Sequence, residues 1–244
     1  MSGEPEAADR IVTDHPKGLI DHLEELRRRL LRTALVWVVC SVAAYGFSVR
    51  IIAFLAEYTG GFVFLGPADA FLARLKLAVM VGSFLAVPEA IYEAWSFVEV
   101  ALRREERRVL ARVLPVSYML FACGAAFAWF LVIPTASKVL LGFASEGLRP
   151  MISIDSYISF VAWMTLGMGL TFQLPVVVVV LVWLGIVEPR TLSAYRREVI
   201  VGIVVFCAMI TPGPDIFSQF ALAAPTYILY EASVWIAWAW KGPG

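Results

Sequence analysis

The sequence has 244 residues, 60% of them hydrophobic and 16% charged, with a mean hydropathy of +0.79. Such a composition describes an integral membrane protein and excludes a water-soluble globular domain. Twenty basic residues balance twenty acidic ones, so whole-molecule charge points to no partner, nucleic acid included, and only its placement is informative.

Residues 1–18 carry Gly, Pro, Asp and Glu without periodicity and are expected to form a mobile tail, ahead of one membrane domain over 19–241. The polar start argues against a cleavable leader, as does the lack of a small-residue cleavage site after the first apolar run. In Asp21–Arg32 (DHLEELRRRLLR), Leu23, Leu26 and Leu30 share a helical face with Leu19. Glu24 and Arg28, like Glu25 and Arg29, stand at i,i+4 with the acid first, the favourable order. An amphipathic helix is expected here, able to lie at a membrane surface and running into a first span over roughly Arg32–Arg50.

The second span is expected from about Phe71 to Phe97, with Pro88 inside. Ile51–Ala70, between the two, is too apolar for a solvated loop and reads as an interfacial cap. The third span, Ala111–Ile133, holds Ala122, Gly124, Ala125 and Ala126, which permit close helix contact, and Pro134 marks its end. The fourth apolar run, Tyr157–Ile186, has 30 residues. That is about 45 Å of helix against a hydrocarbon core of about 30 Å, so it must tilt or bend. Pro175 offers the place. The fifth run, Val199–Ile210, is about 18 Å long as a helix and too short to cross an ordinary bilayer unaided. The sixth, Ile216–Trp240, follows the turn TPGPD and ends in an aromatic belt of Trp235, Trp238 and Trp240.

The fold class expected is therefore all-α, a bundle of six transmembrane helices preceded by the amphipathic segment. Six spans put both termini on one side. That side collects fifteen of the basic residues, in the groups Arg10–Arg32, Arg103–Arg112, Arg190–Arg197 and at Lys241, against five on the other: Arg50, Arg74, Lys76, Lys138 and Arg149. The asymmetry assigns both termini to the cytoplasm.

Catalytic constellations are missing. His15 and His22 are the only histidines, both ahead of the first span, so neither a His-containing zinc site nor a Ser–His dyad can be built within the membrane. No G-x-S-x-G, H-E-x-x-H or P-loop occurs, and Asp215 in TPGPD lacks a second carboxylate to share a proton with. No enzyme activity, cofactor or metal is expected. Cys40, Cys123 and Cys207 fall inside apolar runs and read as packing residues.

Several polar residues remain, each with two readings. RREERR (Arg103–Arg108) is an ordinary positive-inside loop, or its Glu105 and Glu106 accept arginines from a partner, with Glu25 a second acceptor on the same side. Gln173 caps a carbonyl freed by Pro175 or belongs to a polar pathway. Glu89 and Glu93, one turn apart, are expected to face the cytoplasmic interface rather than form an ion site. Asp155 and Asp215 read as helix N-caps, Asp215 also as an ion-pair partner for Arg50, Arg74 or Lys138.

HLEELRRRLL (His22–Leu31), WSFVEVALRREERR (Trp95–Arg108) and TPGPDIFSQ (Thr211–Gln219), in this order and on these spans, resemble the TatC family. That family supplies the multi-spanning subunit of the twin-arginine protein translocase. SYISF (Ser156–Phe160) and the FQLP around Gln173 fit as well. The resemblance implies recognition of paired-arginine signal peptides at the cytoplasmic face of the inner membrane. It further implies movement of folded cargo with TatA and TatB partners, driven by the proton-motive force, in a complex holding further copies of the chain. Residue by residue it implies signal-peptide contacts at Glu25, Arg27, Phe97 and Glu106, and polar partner or pathway roles at Gln173, Asp215 and Gln219. Where many members carry a proline after W-x-F, this chain has Glu99–Val100, and a glutamate common in the fourth span is Gln173. A proline common in the first outer loop has no counterpart around Ala56–Tyr58. The alternative class is a secondary transporter of small solutes, using Glu89, Glu93 or Gln173 at a central cavity.

Overall fold

The computed structural model describes residues 19–59, 61–63, 66–100, 104–143, 151–211 and 216–241. The expected tail, residues 1–18, lies outside them. The first helix, α1, runs unbroken over Leu19–Tyr45. The amphipathic segment is thus not a separate surface helix but the first turns of the rod that enters the apolar layer. At Gly46 the chain turns by 65° into α2, Ser48–Thr59, so the straight part of the first span ends at Tyr45 rather than Arg50. Ser48 Oγ donates to the Tyr45 carbonyl at 2.7 Å, satisfying an acceptor that the end of α1 leaves open.

The longest helix, α3, covers Asp69–Val100 and passes through Pro88. It lies antiparallel to α1, and a ladder of contacts fixes the register. Trp37 Nε1–H donates to Ser83 Oγ at 2.8 Å, and the Arg74 guanidinium sits 5.1 Å from the centre of the Tyr45 ring. Midway, Gly82 meets α1 so closely that a Cβ there would run into the backbone of Ser41. Bare backbone lets the two helices approach where any larger residue would hold them apart.

The third span departs from expectation at its end. Helix α4 (Arg104–Phe127) continues through a π-turn, Ala128–Val132, into α5 (Ile133–Leu141). Pro134 does not terminate the span. In the wide turn the Ile133 N–H reaches back to the Ala128 carbonyl, and Pro134 then falls in the first turn of α5, where a missing N–H costs nothing. Gly124, among the small residues singled out in the sequence, faces the Met168 carbonyl of α6 (Ile154–Thr171), 2.7 Å from where its Cβ would stand.

The long fourth run breaks where Pro175 suggests. Helix α6 ends at Thr171, and α7 spans Leu174–Trp183 with the proline in its first turn. A Schellman motif ends α7: Ile186 N–H donates to the Leu181 carbonyl at 3.0 Å and Gly185 N–H to Val182 at 3.1 Å. Gly185 takes the left-handed φ of +73° that this closure needs. A short α8 (Pro189–Ala194) leads to α9 (Arg196–Ile210) and, past residues 212–215, to α10 (Ile216–Lys241).

Leu77, Ile158, Val161, Met164, Met168, Leu222 and Val234 form the centre of the core, where α3, α6 and α10 meet. Outward, Val42, Phe130, Met209, Phe220 and Trp235 are each more than two-thirds exposed. A bundle that turns large apolar side chains outward on all sides is built for lipid. Among the described residues four helical stretches are long and apolar enough to span, 69–98, 112–141, 154–183 and 216–239, and the bent α1–α2 pair, taken as one span, makes a fifth. Helix α9, with 15 residues and about 22 Å, is shorter than a hydrocarbon core.

One end of the bundle carries the start of α1 and the end of α3; α2 caps the other. The expected cap is real and better ordered than a loop. Ile51, Ile52, Leu55 and Phe62 pack on the core, and Val63 forms an isolated parallel bridge with Ser153. Phe62 and Tyr157 stack with ring centres 5.5 Å apart. Asp155 does not cap α6. The N-cap is Ser153, and the Asp155 carboxylate instead accepts from Lys76 Nζ of α3 at 2.7 Å. Of the aromatic belt on α10, Trp238 turns inward, its indole N–H donating to Ser193 Oγ at 3.1 Å.

Candidate functional site

At the end opposite α2, five charged side chains of α1 and α3 form a single cluster. Arg29 Nη2 donates to Glu25 Oε1 at 2.7 Å, the i,i+4 pair read from the sequence, while its Nη1 donates to Glu93 Oε2 at 2.8 Å. Arg32, one turn further on, places Nη1 3.1 Å from Glu93 and Nε 3.2 Å from Glu89. The antiparallel register brings this about: Arg29 and Arg32 are three apart on α1, Glu89 and Glu93 four apart on α3, so each pair lines one face of its helix. Glu93 is therefore not a solvated interface residue. It is 5% exposed, turned inward against α1, which corrects the expectation from sequence. Three carboxylates against two guanidiniums leave the cluster one negative charge in excess.

Each predicted site residue has a definite place or falls outside the described residues. Glu25 and Arg29 are half-buried, with side chains 22% and 21% exposed. Arg27 is exposed, away from the ion pairs. Phe97 lies one helical turn past Glu93 on the same face of α3 and is half-buried. Glu106 belongs to the first turns of α4, and its side chain lies outside the described residues. Asp215 also lies outside them; the helix that follows begins at Ile216.

Deeper in the bundle, Gln173 Nε2–H donates to the Ser117 carbonyl of α4 at 3.0 Å. The acceptor is on a neighbouring helix, not a carbonyl freed by Pro175 in its own. Ser117 is fully buried and also receives the Trp95 indole N–H on its Oγ at 3.1 Å, so three helical segments meet at one polar node. Gln219 Nε2–H donates to the Val204 carbonyl at 3.1 Å, tying α10 to α9. At the start of α9, Arg196 grips Glu231 with Nε and Nη2, both at 3.0 Å, and Tyr227 O–H donates to the same carboxylate at 2.9 Å. Sequence reasoning passed over Glu231 and the anchoring role of Glu93. The spacing of Glu89 and Glu93 was visible, but their partners stand some 60 residues away, and only the register of α1 on α3 joins them.

A sequence profile described as Sec-independent protein translocase protein (TatC) matches residues 21–225. The chain belongs to the TatC family. The TatC of Carboxydothermus hydrogenoformans is 37% identical over 230 residues, covering 93% of this chain and 95% of that one. For the TatC of Escherichia coli K12 the identity is 36% over 233 residues, with 93% and 90% covered. A crystal structure of the twin-arginine translocase receptor TatC superposes with a TM-score of 0.83 at 34% identity, over 91% of this chain and all of that one. A second TatC crystal structure, in the detergent DDM, gives 0.80 over 88% of this chain. In this TatC chain α1 carries HLEELRRRLL and the end of α3 carries the start of WSFVEVALRREERR, and the cluster joins these two helices.

Proposed function

We propose that this chain is the membrane subunit of a twin-arginine translocase, a transport protein rather than an enzyme, and that it receives twin-arginine signal peptides at the cytoplasmic face. One observation carries the assignment of the site. The half-buried carboxylate of Glu25 already holds a guanidinium, that of Arg29, at 2.7 Å. A site that binds the chain's own arginine has the chemistry to bind another. Glu25 and Glu106 then accept the two signal arginines, Phe97 gives apolar contact beside them, and Arg27 orients the peptide from the exposed side of α1. The fifteen-to-five distribution of basic residues supports cytoplasmic termini in the inner membrane, with α9 as the short fifth of six spans. Gln173, Asp215 and Gln219 serve as polar partner or pathway residues. TatA and TatB subunits, folded cargo, further copies of this chain and lipid are the partners, and the proton-motive force is the energy source.

The small-solute transporter reading is given up. Of the three residues it could place at a cavity, Glu89 and Glu93 are committed to Arg29 and Arg32, and Gln173 donates to the Ser117 carbonyl.

The test is the affinity of a twin-arginine signal peptide for wild type, Glu25→Gln, Glu106→Gln and the double variant. Each single loss is expected to cost about 2–5 kcal/mol, the range for removing one partner of a desolvated charge pair. A twin-lysine peptide should bind more weakly, since a point charge cannot reproduce the guanidinium fork. Wild-type affinity in both single variants would show that the two carboxylates are surface charges only.

A further inference from the structure

The cluster contains more than a receiving carboxylate. Glu93 accepts from two arginines of the chain itself, Arg29 at 2.8 Å and Arg32 at 3.1 Å, and its side chain is only 6% exposed. A guanidinium matches a carboxylate best when two N–H groups meet both oxygens of one acid. Arg29 does not achieve this. Its fork is divided between Glu25 on α1 and Glu93 on α3, and its buried Nε has no hydrogen-bond partner among the described residues. Arg29 is thus a resident competitor for Glu25, and Glu93 is the group that keeps it from closing fully on that carboxylate.

We propose that Glu93 is a positioning residue of the signal-peptide site, drawing Arg29 toward α3 so that Glu25 can exchange it for an arginine of the peptide. This rests on the reading of Glu25 given above. When a peptide guanidinium takes Glu25, Arg29 keeps its bond to Glu93, and no half-buried cation is left without a counter-ion during the exchange. Arg32 holds Glu93 from its other side at 3.1 Å and has Glu89 as a second anchor at 3.2 Å. Without Glu93, Glu25 is the one carboxylate among the described residues that Arg29 still contacts, and Arg29 closes on it with two bonds.

Twin-arginine and twin-lysine signal peptides are titrated into the full chain in lipid nanodiscs: wild type, Glu25→Gln, Glu93→Gln, Arg29→Gln and Glu93→Gln with Arg29→Gln. If wild type shows no preference for arginine, or Glu25→Gln binds like wild type, the Glu25 reading fails and this proposal falls with it. With Glu25 working, Glu93→Gln should bind the twin-arginine peptide about tenfold more weakly, the scale of one hydrogen bond to a charged group. Removing Arg29 as well should restore the affinity, because the competitor is gone. Equal binding by wild type and Glu93→Gln, or no recovery in the double variant, overturns the proposal while leaving Glu25 in place. Arg29→Gln alone provides a second reading should Glu93→Gln not fold. It should gain more for the twin-arginine peptide than for the twin-lysine one, and no such gain overturns the proposal too.

Discussion

At the scale of single residues, chemistry in this chain is decided by what each polar group meets across a helix interface. Glu93 and Glu89 have the same side chain and sit one turn apart, yet Glu93 is buried under two arginines and Glu89 holds one at the rim. Ser117 is a small buried residue of no distinction in the sequence, and it accepts hydrogen bonds from Trp95 and Gln173 on two other helices. Gly82 matters for what it lacks. Any Cβ at that position overlaps the Ser41 backbone, and backbone cannot rotate aside as a side chain can. Gly82→Leu is therefore expected to force α1 and α3 apart, at about 1–3 kcal/mol or more, the range for overpacking a close contact. Denaturant titration in mixed micelles measures that loss. Signal-peptide affinity should fall with it, because the cluster of Glu25, Arg29 and Glu93 depends on the same register.

At the scale of helices, three of the prolines in the spans show how much context decides. Pro88 is absorbed within α3, Pro134 sits beyond a π-turn, and Pro175 begins α7 after a break. One residue type, read alone, cannot separate these outcomes, because the difference lies in which carbonyl the preceding turn leaves unpaired. The end of α7 is different, since a glycine in the left-handed region has few substitutes. Gly185→Ala should destabilise by about 1–2 kcal/mol, the cost of a Cβ at positive φ. The loss should read out as a lower denaturant midpoint with an unchanged slope. Much of the architecture was legible in the sequence: the apolar runs marked the long helices, and Pro175 the break in the fourth. The bend after Tyr45 was not, because Gly46 and Phe47 interrupt neither hydrophobicity nor helical propensity enough to mark it. Of the candidate site, the Glu25–Arg29 pair could be read from local spacing. The inward turn of Glu93 could not, since it follows from pairing segments distant in sequence.

At the scale of the whole molecule, the two ends of the bundle are held by different forces. At the end with the start of α1, helices α1 and α3 are joined by ion pairs with exposed members, Arg32 being 64% exposed. The Arg32–Glu89 pair, with its exposed member, weakens with salt, and the pairs made by the buried Glu93 are screened less. At the other end, backbone pairing joins Val63 to residues 152–154, Phe62 stacks on Tyr157, and Lys76 pairs with Asp155. Those contacts close a ring in the chain, from the connection before α3 to the start of α6, with α3, α4 and α5 inside it. One end of the bundle is thus closed by backbone pairing and packing, and the other by ion pairs. A disulfide introduced between Val63→Cys and Ser153→Cys would stitch the end that backbone pairing already closes. Signal-peptide binding and transport should survive it, and a reductant should change neither. If oxidation blocks transport and reduction restores it, this end of the bundle has to open during transport.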